Sequence, residues 1–105
     1  SKRVMKMSLK NEQIVFTGTL NSMSRKQAQS LVSSLKGCNQ NNVSKQTTIL
    51  VIGSSQNDLL KEQQLSKKVI EANRLIKDGL PIQLLTEKQF IKLVSEQFHL
   101  LYENL

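Results

Sequence analysis

The chain has 105 residues, 38% of them apolar, which is enough for one modest hydrophobic core and too few for two domains. Fifteen Lys and Arg against eight Asp and Glu leave a net charge of +7, a balance that favours acidic partners such as DNA, RNA, phosphopeptides or anionic lipid without choosing among them. One cysteine, Cys38, and one histidine, His99, offer neither an internal disulfide nor a tetrahedral metal site. No apolar run approaches the ~18 residues of a membrane span, so a cytoplasmic protein without metal or cofactor is expected.

Residues 1–11 are polar and basic and read as a tail or linker that leads in from something upstream. From Gln13 the pattern sharpens. Ile14, Val15 and Phe16 are the β-branched and aromatic residues of a short buried strand, which stops at Thr17 and Gly18. A helix follows, with Ser22 and Ser24 as candidate N-caps and Ala28, Leu31, Val32 and Leu35 forming its apolar stripe. Gly37 is placed to end it. A strand–glycine–helix junction of this kind turns the helix's unpaired N–H groups and positive dipole end toward the turn, where a phosphate is the natural guest.

The segment CNQNNVSK, Cys38 to Lys45, is too polar for a central strand and suits an edge, with Val43 as its anchor. TTILVIG, Thr47 to Gly53, is apolar on consecutive positions and is expected at the sheet's centre, covered on both faces. Ser54 to Gln64 reads as a polar loop. Leu65 to Asp78 reads as a second helix with Val69, Ala72 and Ile76 inward, stopped by Gly79 and Pro81. Ile82 to Leu85 is a short strand, and Thr86 with Glu87 opens a third helix that turns Phe90, Leu93, Val94 and Phe98 inward. Strands separated by helices favour parallel pairing in an open α/β arrangement.

Catalytic patterns are missing. There is no HExxH, no Walker sequence, no GxSxG and no closely spaced Cys/His pair, so the nucleophile, base and metal ligands of ordinary active sites are not offered. A binding module is the expectation.

FTGTL followed by SRKQAQSLV, then NVSKQTTILVIG, SKKVIEA and GLPIQLLTEKQF, in that order and spacing, resemble the BRCT family over about Glu12 to Val94. The likeness is nearest to the subgroup found in bacterial NAD-dependent DNA ligases, the large subunit of replication factor C and exonuclease-fused polymerase subunits. It implies a three-layer α/β fold in which a four-stranded parallel sheet of order 2-1-3-4 is flanked by three helices, two on one face and one on the other. The domain would span 12–96, with 97–105 as a helical extension. The usual paired glycines after the first helix are here Lys36 and Gly37, which implies a looser turn, and Asn39 replaces an apolar residue of the second strand.

In phosphate-binding members a hydroxyl residue and a glycine after the first strand, together with the lysine of an S-x-K pattern, hold the phosphate. Here they correspond to Thr17, Gly18 and Lys68, with Lys67 as a substitute. In the subgroup that binds 5′-phosphorylated duplex DNA an arginine at the start of the first helix adds a contact, which Arg25 matches, and Lys45 is a further basic candidate on the same side. Thr17 and Gly18 also occur in members that bind no phosphate, where they only shape the turn. Two functions stay open: a non-catalytic module binding DNA 5′ ends or backbone within a replication or repair protein, or one binding a phosphorylated protein or pairing with a protein without phosphate. A third role, self-association, is suggested by Phe98, Leu100, Leu101 and Tyr102 beyond the expected domain end.

Overall fold

Four strands and three long helices are found among the described residues. In a computed structural model, which describes residues 8–53 and 66–105, they are β1 (Gln13–Thr17), α1 (Arg25–Ser34), β2 (Cys38–Asn39), β3 (Ile49–Ile52), α2 (Lys67–Lys77), β4 (Gln83–Thr86) and α3 (Glu87–Glu103). Most of the expected basic tail, with Lys2, Arg3 and Lys6, and the expected loop over 54–64 lie outside the described residues. All pairings are parallel, and the sheet order is β2-β1-β3-β4. This is the expected 2-1-3-4 topology.

Strand alternation assigns the core to two faces. Ile14 and Phe16 of β1 and Ile49 and Val51 of β3 pack with Ala28, Val32 and Leu35 around α1 and with Phe90, Leu93 and Val94 of α3. Phe16 and Phe90 meet edge to face, with ring centroids 5.3 Å apart, an arrangement worth about 0.5–1.5 kcal/mol beyond the buried area. On the other face Val15 and Leu50 pack against Val69, Ala72 and Leu75 of α2 and against Ile82. Two helices on one side and one on the other follow directly.

Several boundaries differ from the sequence reading. Leu9 is fully buried in the α1/α3 core, and the Asn11 N–H donates to the Lys36 carbonyl at 2.9 Å, so the folded unit begins before Glu12. The edge strand is Cys38–Asn39, ahead of Val43, which packs against the α2-side core instead. Phe98, expected inward, is exposed: α3 runs on past the sheet, and its buried positions end at Val94.

The end of α1 is also built differently. Lys36, not Gly37, takes the left-handed conformation, at φ +72°. The Lys36 and Gly37 N–H groups donate to the Ser33 and Val32 carbonyls at 3.0 and 2.9 Å, a Schellman closure. Gly37 is required for closeness: a Cβ there would stand 2.7 Å from the Val32 side chain and 3.1 Å from the Leu9 carbonyl oxygen.

Candidate functional site

In a parallel sheet all strands end at one edge, and ligands of open α/β folds collect outside those carboxyl ends. At that edge β1 delivers Thr17 and Gly18, the N-terminus of α1 delivers Arg25, and the N-terminus of α2 delivers Ser66, Lys67 and Lys68. Ser24 and Ser66 are the N-caps, accepting from the Gln27 and Val69 N–H groups at 3.1 and 3.2 Å, so both helices direct their positive ends here.

Lys68 is drawn inward by the sheet itself. The carbonyls of Ile14 and Phe16 point toward β2, and Ile14 is satisfied by the Gln40 N–H at 2.8 Å. β2 has by then ended, and the Lys68 ammonium takes the vacant ladder position, donating to the Phe16 carbonyl at 2.8 Å. Arg25 is tied in the same way, its guanidinium donating to the Gly18 carbonyl at 2.8 Å. Burial lowers the Lys68 pKa from its ordinary value, and the nearby Arg25 charge lowers it further. Among the described residues neither cation has an acidic partner; the ion pairs there are Arg74 with Glu71 and Asp78, and His99 with Glu103. Each cation spends one donor on a carbonyl and carries further N–H donors beyond it.

Thr17 plays a different part from the open donor expected of it. It is buried, and its hydroxyl donates to the Ser66 hydroxyl at 2.9 Å. That bond ties the end of β1 to the start of α2, which fixes the position of Lys68 two residues on. Ser66 was missed as a site residue in its own right, although the S-x-K spacing contains it. Gly18 has φ +77°, and among the described residues its N–H has no hydrogen-bond partner. Lys67 is exposed at the first position of α2.

Lys45 is not part of this group. It sits in the Ser44–Thr47 turn that precedes β3, and the Thr48 N–H donates to the carbonyl of Gln13, the first residue of β1. The turn therefore lies at the amino-end edge of the sheet, opposite Thr17. The resemblance placed it on the same side as Arg25, but the direction of β3 puts it at the opposite edge.

The loop from Gly18 to Ser24 is held by two features. It crosses the end of β3 at Gly53, where a Cβ would lie 2.4 Å from the Thr19 carbonyl oxygen, so only glycine admits the crossing. It is then caught by Glu87 at the start of α3, buried to 5% exposure, which accepts from the Asn21 N–H at 2.8 Å, the Ser22 N–H at 2.7 Å and the Ser22 hydroxyl at 2.6 Å. Ser22 thus serves this clamp, and the helix cap is Ser24. Nothing in the spacing of Glu87 from Ser22 announces the contact, because it depends on β4 lying beside β3.

No cluster of three His, Cys, Asp or Glu side chains able to hold a metal occurs among the described residues, and no described helix is long and apolar enough to cross a membrane. No curated protein matches the chain as a relative. The family model for the BRCA1 C Terminus (BRCT) domain matches residues 6–77, reaching past the buried Leu9 at one end and through the last residue of α2 at the other. Members of this family are in general non-catalytic modules for protein or DNA interactions, typical of DNA repair and cell-cycle proteins. With more than half of its length matched and the four-stranded parallel sheet in the order 2-1-3-4, the chain belongs to the BRCT family.

Proposed function

We propose that this domain binds a phosphate of DNA, at a 5′ end or along the backbone, through Lys68, Arg25 and the Gly18 N–H, with Thr17 and Ser66 as the tie that sets Lys68 in place. The observation that carries the reading is the approach of two cations, Lys68 and Arg25, near enough for one charge to lower the pKa of the other, with no acid among the described residues to pair them. Holding like charges together costs free energy that an anionic guest returns. The exposed Lys67 and the net charge of +7 favour a polyanion over an isolated phosphate group. A replication or repair protein is the context that suits such a module.

The test is a titration of the domain with a duplex carrying a 5′ phosphate, the same duplex ending in a 5′ hydroxyl, and a phosphoserine peptide. Tight binding of the phosphorylated duplex, weakening steeply with salt as counterions are released, is expected. Lys68→Met removes one charge-assisted contact worth about 1.5–3 kcal/mol, a loss of roughly tenfold to a hundredfold. Equal binding of the hydroxyl and phosphate duplexes overturns the end-binding form of the proposal. Preference for the peptide moves the function to phosphoprotein recognition.

A further inference from the structure

The part of α3 that outruns the sheet has a pattern of its own. Ile91, Val94, Phe98, Leu101 and Leu105 recur at spacings of three and four, the a and d positions of two heptads. Ile91 and Val94 pack on the domain core, whereas Phe98 and Leu101 are exposed, and Leu105, just past the helix end, is fully so. The seam therefore continues the core stripe into solvent.

The flanks of the seam are equally informative. Ser95, Gln97, Tyr102 and Asn104 occupy the e and g positions and are all uncharged, while Glu96 and Glu103 both fall at f, farthest from the seam. His99 also lies outside it, paired with Glu103 at 3.1 Å. Beyond Lys92 the sequence has no Lys or Arg, whereas residues 1–92 hold all fifteen cations against six of the eight acids. A surface that is apolar, self-matching and free of cations is where two such basic chains can approach with the least repulsion.

We infer that the overrunning turns of α3 pair with the same turns of a second copy, burying Phe98 and Leu101 in a short coiled-coil seam. Two copies then present two phosphate sites, which suits a ligand with two strands or two ends. The pairing does not depend on the phosphate-binding reading, since no residue of the seam belongs to that site.

Sedimentation velocity of the 105-residue chain over a wide concentration range tests the inference. A monomer–dimer equilibrium with a dissociation constant of about 10 µM to 1 mM is expected for so short a seam, tightening as salt screens the repulsion between copies. Leu101→Glu should raise that constant at least about a hundredfold, and Phe98→Glu should do the same. Both side chains lie outside the core, so far-UV circular dichroism, and binding of a duplex phosphorylated at one end at concentrations where the wild type is monomeric, should stay as in the wild type. Glu103→Gln, at the outer f position, should leave the equilibrium unchanged. A wild type that stays monomeric to millimolar concentration, or Leu101→Glu and Phe98→Glu variants that associate like the wild type, overturns the inference. So does association that weakens with salt, which would indicate an acidic helix resting on the basic edge of another copy.

Discussion

Replacing Gly53 by alanine tests whether the β1–α1 loop is held by its crossing over β3. The added methyl would meet three backbone atoms of Thr19, at 2.4, 2.6 and 2.9 Å from its oxygen, carbonyl carbon and nitrogen, where ordinary contact begins near 3.4 Å. No side-chain rotation relieves a clash with backbone. Retreat of Gly53 is blocked as well, because its N–H donates to the Thr17 carbonyl at 2.8 Å at the end of the β1–β3 ladder. The loop must lift, and lifting it strains the three bonds that Asn21 and Ser22 make to Glu87. Overpacking of this kind costs about 1–3 kcal/mol, and each kcal/mol lowers the melting temperature of a domain this size by roughly 4–8 °C. Because Gly18 and Arg25 ride on the same loop, affinity for a 5′-phosphorylated duplex should fall by about tenfold, or 1.4 kcal/mol. Thermal denaturation and a binding titration on the same sample read both effects. An alanine variant that melts and binds like the wild type refutes the crossing as the device that sets the loop.

Glu87→Gln keeps the shape of the clamp but puts an amide nitrogen where one carboxylate oxygen accepted, leaving a buried donor facing a donor. A loss of about 1–3 kcal/mol in stability is expected, with faster amide exchange at Asn21 and Ser22 by NMR, and unchanged exchange there contradicts the clamp. Lys36→Gly removes a non-glycine residue from φ +72°, where the left-handed conformation costs about 1–2 kcal/mol, so the thermal midpoint should rise; a fall would mean that Lys36 makes an offsetting contact. Thr17→Val keeps the buried volume but deletes the hydrogen bond to Ser66. It should weaken phosphate-dependent binding by loosening the start of α2, and an unaltered titration rejects the tie.

Much of the fold was legible from local pattern, and the site only in part. Consecutive apolar residues in Thr47–Gly53 announced a strand covered on both faces, and the polarity of Asn39 announced an edge; both follow from burial, which the sequence records directly. The Thr86–Glu87 start of α3 was legible because capping is local chemistry, and its capping box with Gln89 is formed. What escaped depends on chain direction and long-range placement. Lys45 looked near the pocket until the direction of β3 put it at the far edge. Thr17 looked like an open donor, but its neighbour across the sheet end is Ser66, 49 residues later. Phe98 fits the helical stripe as well as Val94 does, and only the length of the sheet decides that one is covered and the other is not. Leu9 stood among polar and charged neighbours and gave no strand or helix period to mark it as core.

The central claim is that Lys68, pressed inward beside Arg25, waits for an anion, and its own titration tests this most directly. Burial and the Arg25 charge favour the neutral amine, so unliganded Lys68 should lose its proton below the ordinary value of 10.5. A phosphate against the ammonium favours the charged form and raises that pKa, and by linkage binding takes up a proton on the alkaline side. Affinity should thus hold steady below the pKa of free Lys68 and fall as pH rises through it. Measured by the carbon-13 shift of the lysine ε-methylene, the Lys68 titration should move upward when a 5′-phosphorylated duplex is added. A Lys68 that titrates at the same pH with and without the duplex contradicts the claim.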